Sequence, residues 1–212
     1  MSQRLIYIMD PMCSWCWGFA PVVDAIQVAC PDLPIHLVAG GLRPGVTDPM
    51  QSAARRALAE HWQAVRETSG QPLLDTDALP AGFIYNTEPA CRALVVAREL
   101  DAERVWALVK AIQYAFYAQA QDVTQSTVLA DLAEQAGYSR DRFSQAFVAE
   151  PARASVSADF NWVAGLGISG FPTLLAERDG MLALLSNGYQ PADSILALLQ
   201  RWMGAGKGAV TE

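Results

Sequence analysis

Hydrophobic positions at the start of the chain follow two different periods. Residues 5–9, Leu-Ile-Tyr-Ile-Met, form an uninterrupted apolar run with β-branched and aromatic side chains, which predicts a buried strand. Across residues 13–29 apolar side chains recur every three or four positions, which predicts a helix. Two prolines end it, and residues 35–39, Ile-His-Leu-Val-Ala, predict a second strand. The first forty residues therefore predict a βαβ unit.

The middle of the chain changes to a helical pattern. From about residue 46 to residue 166 the three- and four-residue spacing persists, interrupted by Gly and Pro. Asp48-Pro49 predicts the start of a helix that ends at Gly70. Thr87 is positioned to cap a second helix that runs to about residue 100, and further helices follow.

The end of the chain returns to a strand pattern. Residues 171–175 lead into Arg178-Asp179-Gly180, a hairpin turn signal, and a returning strand and a final helix follow. The two ends must share one sheet, because neither end can cover its own faces alone. We therefore expect an α/β fold of order βαβ…ββα with a large all-helical insertion. Its core would comprise residues 1–45 and 167–212, and the inserted helical domain residues 46–166.

Composition narrows the possible functions. The 212 residues are 52% hydrophobic and 17% charged, with 15 Lys+Arg against 22 Asp+Glu and a net charge of −7. This apolar content excludes disorder, and the acidic balance argues against nucleic acid as a partner. No apolar window is long enough for a membrane helix, so no membrane partner is expected. Only four residues precede the first strand, which leaves no room for a secretory signal and favours the cytoplasm.

Two of the four cysteines form a Cys-x-x-Cys motif, Cys13-Ser14-Trp15-Cys16, where a strand is expected to give way to a helix. Unpaired N–H groups and the positive end of the helix dipole favour a thiolate at Cys13. Cys16, one helical turn later, is expected to be less accessible and suited to resolving a mixed disulfide. The motif therefore predicts a catalytic pair that alternates between dithiol and disulfide.

Two other interpretations of the cysteines are weaker. A structural zinc site needs four ligands, and the remaining Cys and His residues are scattered singly over different elements, so we expect no metal and no cofactor. Two inert cysteines at this spacing are the other possibility. Cys30 and Cys91 are each expected to be structural, since a buried cysteine behaves as a small apolar residue.

Residues 10–19, Asp-Pro-Met-Cys-Ser-Trp-Cys-Trp-Gly-Phe, together with Gly-Phe-Pro-Thr at residues 170–173, resemble the DsbA-like branch of the thioredoxin superfamily. The likeness covers essentially the whole chain and is strongest to the cytosolic protein-disulfide isomerase branch. It implies a thioredoxin-like fold. It also implies that Pro172 is a cis-proline facing the cysteines, where Phe171 and Pro172 would hold an extended substrate.

The resemblance extends to further residues and has one gap. The family carries a buried acid six residues before the first cysteine, where this chain has Tyr7, and Asp10 is expected only to cap the turn. Residues 86–92 resemble a segment facing the active site, so Asn86 and Glu88 are candidate substrate contacts. Trp15 is expected to be exposed beside the cysteines as part of a peptide groove.

Three functions remain open at this point. The first is a thiol-disulfide oxidoreductase or isomerase acting on protein or peptide disulfides, with glutathione or a thioredoxin-type protein as electron donor. The second is a glutathione-dependent isomerase or transferase of the kappa-class or 2-hydroxychromene-2-carboxylate isomerase type, which typically carries a serine instead of the cysteine pair. The third is a peptide-binding module with a redox switch. Retention of both Cys13 and Cys16 favours the first.

Overall fold

The computed structural model describes residues 3–205 and contains one four-stranded sheet in that range. Its spatial order is β2-β1-β3-β4; β1 and β2 are parallel, while β3 is antiparallel to both β1 and β4. The strands are β1 (Gln3–Met9), β2 (Ile35–Ala39), β3 (Thr173–Arg178) and β4 (Met181–Asn187). The strands from the two ends of the chain therefore meet in one sheet, as predicted.

Eight α-helices accompany the sheet within residues 3–205. They are α1 (Ser14–Ala29), α2 (Ser52–Ser69), α3 (Glu88–Leu100), α4 (Val105–Gln119), α5 (Ser126–Gln135), α6 (Arg140–Val148), α7 (Glu150–Gly165) and α8 (Ala192–Ala205). Helices α2 to α7 all lie between β2 and β3 in the chain. This order is the expected thioredoxin-like arrangement with a helical insertion. The division into two separate domains stays a prediction.

The apolar run of β1 is buried on both faces of the sheet. Leu5, Tyr7 and Met9 point into the main core, which contains residues of α1, α3, α4 and α8. Ile6 and Ile8 point to the other face, into a smaller cluster that includes Val163 of α7. Along residues 5–9, successive side chains point to opposite apolar layers, which explains why this part of β1 carries no charged side chain.

The hairpin between β3 and β4 forms as predicted. Asp179 and Gly180 both have positive φ, +50° and +82°, the combination that a two-residue turn of the right twist requires. A glycine at the second position adopts this conformation without the steric penalty of a side chain.

One predicted helix start and one predicted capping bond differ from the structure. Helix α2 begins at Ser52 and not at Asp48-Pro49, because the N–H of Met50 donates to the carbonyl of Phe83 at 3.1 Å and holds that segment outside the helix. Thr87 precedes α3, but its hydroxyl accepts the N–H of Arg43 at 3.0 Å and makes no capping bond to the helix. In both places a distant segment competes with the local signal.

None of the helices formed by residues 3–205 combines the length and apolar character that a bilayer crossing requires. Over the same residues, no group of three or more His, Cys, Asp or Glu side chains is placed to hold a metal ion.

Candidate active site

The loop after β1 carries the cysteine pair. Because β1 and β2 are parallel neighbours, their carboxyl ends lie at the same edge of the sheet, and the loops that follow them are adjacent. Cys13 is the N-cap residue of α1, with its N–H bonded to the carbonyl of Asp10 at 3.0 Å. Its thiol faces the carbonyl oxygen of Phe171, 3.6 Å from Sγ.

Cys16 lies behind Cys13 in the first turn of α1. It is 0% exposed, whereas Cys13 retains 5%. Burial raises the pKa of the Cys16 thiol well above its usual range, and the neighbouring Cys13 raises it further. The hydroxyl of Tyr7 lies 3.5 Å from the Cys16 carbonyl oxygen. The pair is thus asymmetric, with one partly accessible sulfur and one enclosed sulfur that keeps its proton.

Asp10 joins three segments of the chain around this loop. Its Oδ1 accepts the N–H of Met12 at 2.8 Å, the turn-capping bond expected from the sequence. Its Oδ2 accepts the N–H of Leu42 at 2.7 Å and the thiol of Cys91 at 3.3 Å. The carboxyl group is 0% exposed, and burial raises its pKa, although these hydrogen bonds and one from Thr87 oppose the shift.

Cys91, in α3, is enclosed by this arrangement. It is 0% exposed, and burial together with the charge of Asp10 raises the pKa of its thiol well above the usual range. Its sulfur is already bonded to the Asp10 carboxylate. These surroundings are those of the structural cysteine that the sequence predicts.

The loop before β3 forms the opposite side of the site. The peptide bond between Phe171 and Pro172 is cis, as the resemblance implies. The ring of Phe171 packs directly on the end of β2, where the β-carbon of an alanine at Gly40 would lie 2.3 Å from Cε1 of the ring. Glycine at this position therefore permits the close approach that brings the Phe171 carbonyl to Cys13.

A cavity of about 530 Å³ opens onto Cys13. Its walls come from the start of α1, the loop after β2, helix α2 and the loop before β3. The residues that line it are Cys13, Ser14, Trp15, Leu42, Arg43, Ala54, Ala57, Leu58, His61, Tyr85, Ser169, Gly170 and Phe171. Cys16 does not line it, so the first cysteine alone faces the space where a ligand fits.

The structure brings together some of the sequence-predicted residues at this cavity. Trp15 is half-buried and packs against His61 and Tyr189, with ring centroids 6.4 and 5.7 Å away. Phe171 lines the cavity, and Pro172 is buried directly beside it. These positions are compatible with the substrate contacts predicted for the three residues.

Asn86 and Glu88 lie outside the lining of this cavity. The Oδ1 atom of Asn86 accepts the N–H groups of Gly45 and Glu88 at 3.0 and 3.1 Å, which ties two loops together. The carboxylate of Glu88 pairs with Arg92, Oε1 to Nε at 3.0 Å. Both side chains have structural partners, and substrate binding by them remains a prediction without support from these contacts.

Sequence reasoning missed Arg43, Tyr85 and the central position of Asp10. Leu42 and Arg43 follow β2 closely. Parallel pairing of β2 with β1 places the loop after β2 beside the cysteine loop, so the βαβ pattern in the sequence could have indicated these residues. Tyr85 had no comparable signal, because its hydroxyl donates to the carbonyl of Met12, 73 residues away.

The sheet, the dithiol at the strand-to-helix junction and the cis-proline loop together define a thiol-disulfide oxidoreductase-like fold. The model of the DSBA-like thioredoxin domain matches residues 4–200. The chain belongs to this family, whose members are disulfide oxidoreductases and isomerases.

Two proteins of known structure are similar over nearly the whole chain. A provisionally named protein disulfide isomerase from Nitrosomonas europaea is 38% identical, with a TM-score of 0.90, covering 97% of this chain and 99% of that one. The cytosolic disulfide reductase DsbM from Pseudomonas aeruginosa is 28% identical, with a TM-score of 0.79, covering 95% and 99%. DsbM has also been solved with GSH.

More distant relatives show how far the fold extends. The ClpXP adapter protein SpxH of Bacillus licheniformis is 22% identical over 204 residues, 92% of this chain, and the chain spans 66% of the length of that curated relative. A 2-hydroxychromene-2-carboxylate isomerase is 14% identical with a TM-score of 0.66, covering 99% of this chain and all of that one, which shows a shared fold alone.

Proposed function

We propose that the chain is a thiol-disulfide oxidoreductase or isomerase that acts on protein or peptide disulfides through Cys13 and Cys16. One observation carries this proposal. Cys13 is the sulfur that lines the 530 Å³ cavity, and Cys16 is enclosed one helical turn behind it. Disulfide exchange requires two groups: a nucleophilic cysteine that contacts the substrate, and a second thiol that reaches only that cysteine.

The reaction transfers two electrons from the pair to the substrate. The Cys13 thiolate attacks one sulfur of the substrate disulfide, forms a mixed disulfide and releases the first substrate thiolate. Cys16 then loses its proton and attacks Sγ of Cys13, which forms the Cys13–Cys16 disulfide and releases the second thiolate. Two protons, one from each cysteine, end on the two product thiols. A thiol reductant, glutathione or a thioredoxin-type protein, regenerates the dithiol.

The walls of the cavity supply the substrate contacts in this proposal. Trp15 and Phe171 offer apolar surface on either side of Cys13, and Pro172 fixes the backbone beside it. The donor chemistry is consistent with DsbM, which is a cytosolic disulfide reductase solved with GSH. We place the protein in the cytoplasm on its likeness to the cytosolic DsbM.

A glutathione-dependent isomerase is the alternative. The fold is shared with a 2-hydroxychromene-2-carboxylate isomerase, but the isomerisation of a small aromatic substrate breaks no disulfide and does not use a second thiol enclosed behind Cys13. Turnover of a small aromatic substrate with glutathione, unaffected by Cys16→Ala, would favour this alternative.

The test compares two cysteine-to-serine variants in insulin reduction and in reactivation of a scrambled protein. We expect Cys13→Ser to lose more than about 100-fold in rate, since a hydroxyl does not ionise in this pH range and cannot replace the thiolate. Cys30→Ser is the matched control, because Cys30 lies at the far end of α1. Full activity of Cys13→Ser, or equal losses in the two variants, would contradict the proposal.

A further inference from the structure

The cavity beside Cys13 has a charge opposite to that of the molecule. The chain carries a net charge of −7, but none of the residues lining this cavity is Asp or Glu. Arg43 is the one lining residue with a fixed charge, and it is positive. His61 is the other lining residue able to carry a positive charge. Although the protein is acidic, the cavity that leads to Cys13 is lined by no carboxylate.

The position of Arg43 is fixed by its own backbone. Its N–H donates to the Thr87 hydroxyl at 3.0 Å, and its carbonyl accepts the N–H of Thr87 at 3.1 Å. The guanidinium lies over the ring of Tyr85, with Cζ 5.1 Å from the centroid. The side chain therefore extends from an anchored residue along one wall of the cavity.

The guanidinium of Arg43 has no carboxylate partner within residues 3–205. The ion pairs of this range join other residues, and the arginines among them include Arg66, Arg92 and Arg98. The nearest buried acid, Asp10, does not line the cavity and bonds to the N–H groups of Met12 and Leu42. The guanidinium donors of Arg43 remain available to a ligand.

We infer that this cavity, besides the protein or peptide disulfides proposed above, admits low-molecular-weight disulfides and prefers those that carry a carboxylate close to the sulfur. Arg43 is the residue that binds the carboxylate. The inference rests on the proposed function of Cys13 and Cys16. A volume of about 530 Å³ lies in the range of small-molecule sites, roughly 300–1,000 Å³, and apolar walls with a single cation suit a short anionic thiol compound. Proteins with an acidic residue next to a cystine are the competing substrates.

The test uses the pre-reduced protein in single-turnover reactions, so that no electron donor is needed. Three small disulfides of different charge serve as probes: dithiodipropionate (dianionic), hydroxyethyl disulfide (neutral) and cystamine (dicationic). Each rate constant for oxidation of the Cys13–Cys16 pair is divided by that of dithiothreitol with the same probe, which removes differences in intrinsic reactivity. Arg43→Gln is compared with Arg201→Gln, an exposed arginine of α8 outside the cavity, because both remove one positive charge.

We expect the normalised rate of the wild type to be higher for the dianion than for the neutral disulfide and lowest for the dication. Arg43→Gln should lower the rate with the dianion about fivefold and leave the neutral probe within twofold, since a half-exposed ion pair has a modest effect. Arg201→Gln should preserve the preference, and 0.5 M salt should reduce it.

The inference is overturned if the wild type shows no preference for the dianion, or if the two glutamine variants lose it equally. It is also overturned if an acidic peptide disulfide reacts faster than dithiodipropionate and only that reaction depends on Arg43. Reaction with the neutral probe distinguishes loss of the charge preference from loss of the proposed function. Oxidation of the pair by that probe upholds the proposed function when the charge preference fails, whereas absence of oxidation by every probe and by insulin removes the proposed function itself.

Discussion

Two buried cysteines, Cys13 and Cys91, lie on opposite sides of the loop after β1 and have different surroundings. On the open side, Cys13 is 5% exposed and meets a cavity with apolar walls and one arginine. On the closed side, Cys91 is 0% exposed and bonded to the carboxylate of Asp10. The difference in exposure is small, so burial alone does not distinguish a reactive from a structural cysteine. Access from a cavity and the charge next to the sulfur distinguish them.

The comparison also explains the place of Cys16. Like Cys91 it is fully enclosed, and burial raises the pKa of both thiols. Unlike Cys91 it has a sulfur partner, Cys13, one helical turn away. In the proposed mechanism the enclosed Cys16 takes part because the attacking sulfur is its neighbour, which Cys91 lacks.

The largest expected effect sharpens the contrast between Cys13 and Cys16. In the mixed disulfide Cys13 no longer repels a second thiolate, but burial still keeps the pKa of Cys16 high. Its reactive thiolate fraction therefore increases about tenfold per pH unit below that pKa, and resolution should accelerate about 100-fold from pH 6 to pH 8. Rapid acid quenching followed by mass spectrometry of the mixed disulfide measures this rate. A rate that does not change with pH would show that another group removes the proton.

The control for this measurement is Cys16→Ala. It should form the mixed disulfide and retain it at every pH, because no second thiol is present to resolve it. Release of the substrate from this variant at the wild-type rate would mean that Cys91 or an external thiol resolves the intermediate.

The next effect concerns the closed side. Each carboxylate oxygen of Asp10 accepts one backbone N–H, that of Met12 or that of Leu42. Asp10→Asn replaces one of these oxygens with an NH₂ group, which cannot accept, so one of the two buried N–H groups loses its acceptor. We expect the free energy of unfolding of the reduced protein to fall by about 1–3 kcal/mol in urea titrations. Asp32→Asn, at an exposed position, is the matched control and should change it by less than about 0.5 kcal/mol. Equal effects would remove the structural role of Asp10.

The smallest effect tests whether Cys91 is a bystander. Cys91→Ala should cost about 1–2 kcal/mol of stability through the lost sulfur contacts, and should leave the rate with hydroxyethyl disulfide within twofold of the wild type. Cys30→Ala is the control on an unrelated, half-buried cysteine. A loss of rate comparable to that of Cys13→Ser would break the comparison and make Cys91 a third redox thiol.

Local patterns predicted the elements well, and contacts across the chain were beyond them. The strand at residues 35–39, the hairpin at Asp179-Gly180 and helix α1 follow from periodicity and turn residues, because those signals act over a few positions. The cis bond before Pro172 came with the family resemblance, since most X–Pro bonds are trans. The start predicted for α2 is wrong because a hydrogen bond between Met50 and Phe83 holds that segment outside the helix.

The sequence was sufficient to propose the two cysteines of the candidate site, but not the residues that surround them. Cys13 and Cys16 lie three positions apart, so their spacing and their position after a strand are enough to propose them as the reactive pair. The roles of Asp10 and Arg43 depend on pairing with Cys91 and Thr87, 81 and 44 residues away. Such pairings are set by the packing of the helical insertion against the sheet, on which local periodicity gives no information.

The hydrogen bonds of Asp10 also bear on the order in which contacts form while the chain is synthesised. Its carboxylate joins residues separated by 32 and 81 positions, Leu42 and Cys91, and contacts so far apart in sequence form late because the intervening chain must first be ordered. A growing polypeptide therefore leaves the ribosome with Cys13 and Cys16 long before α3 has been made. Until that helix docks, the loop that carries the two thiols lacks its bond from Asp10 to Cys91.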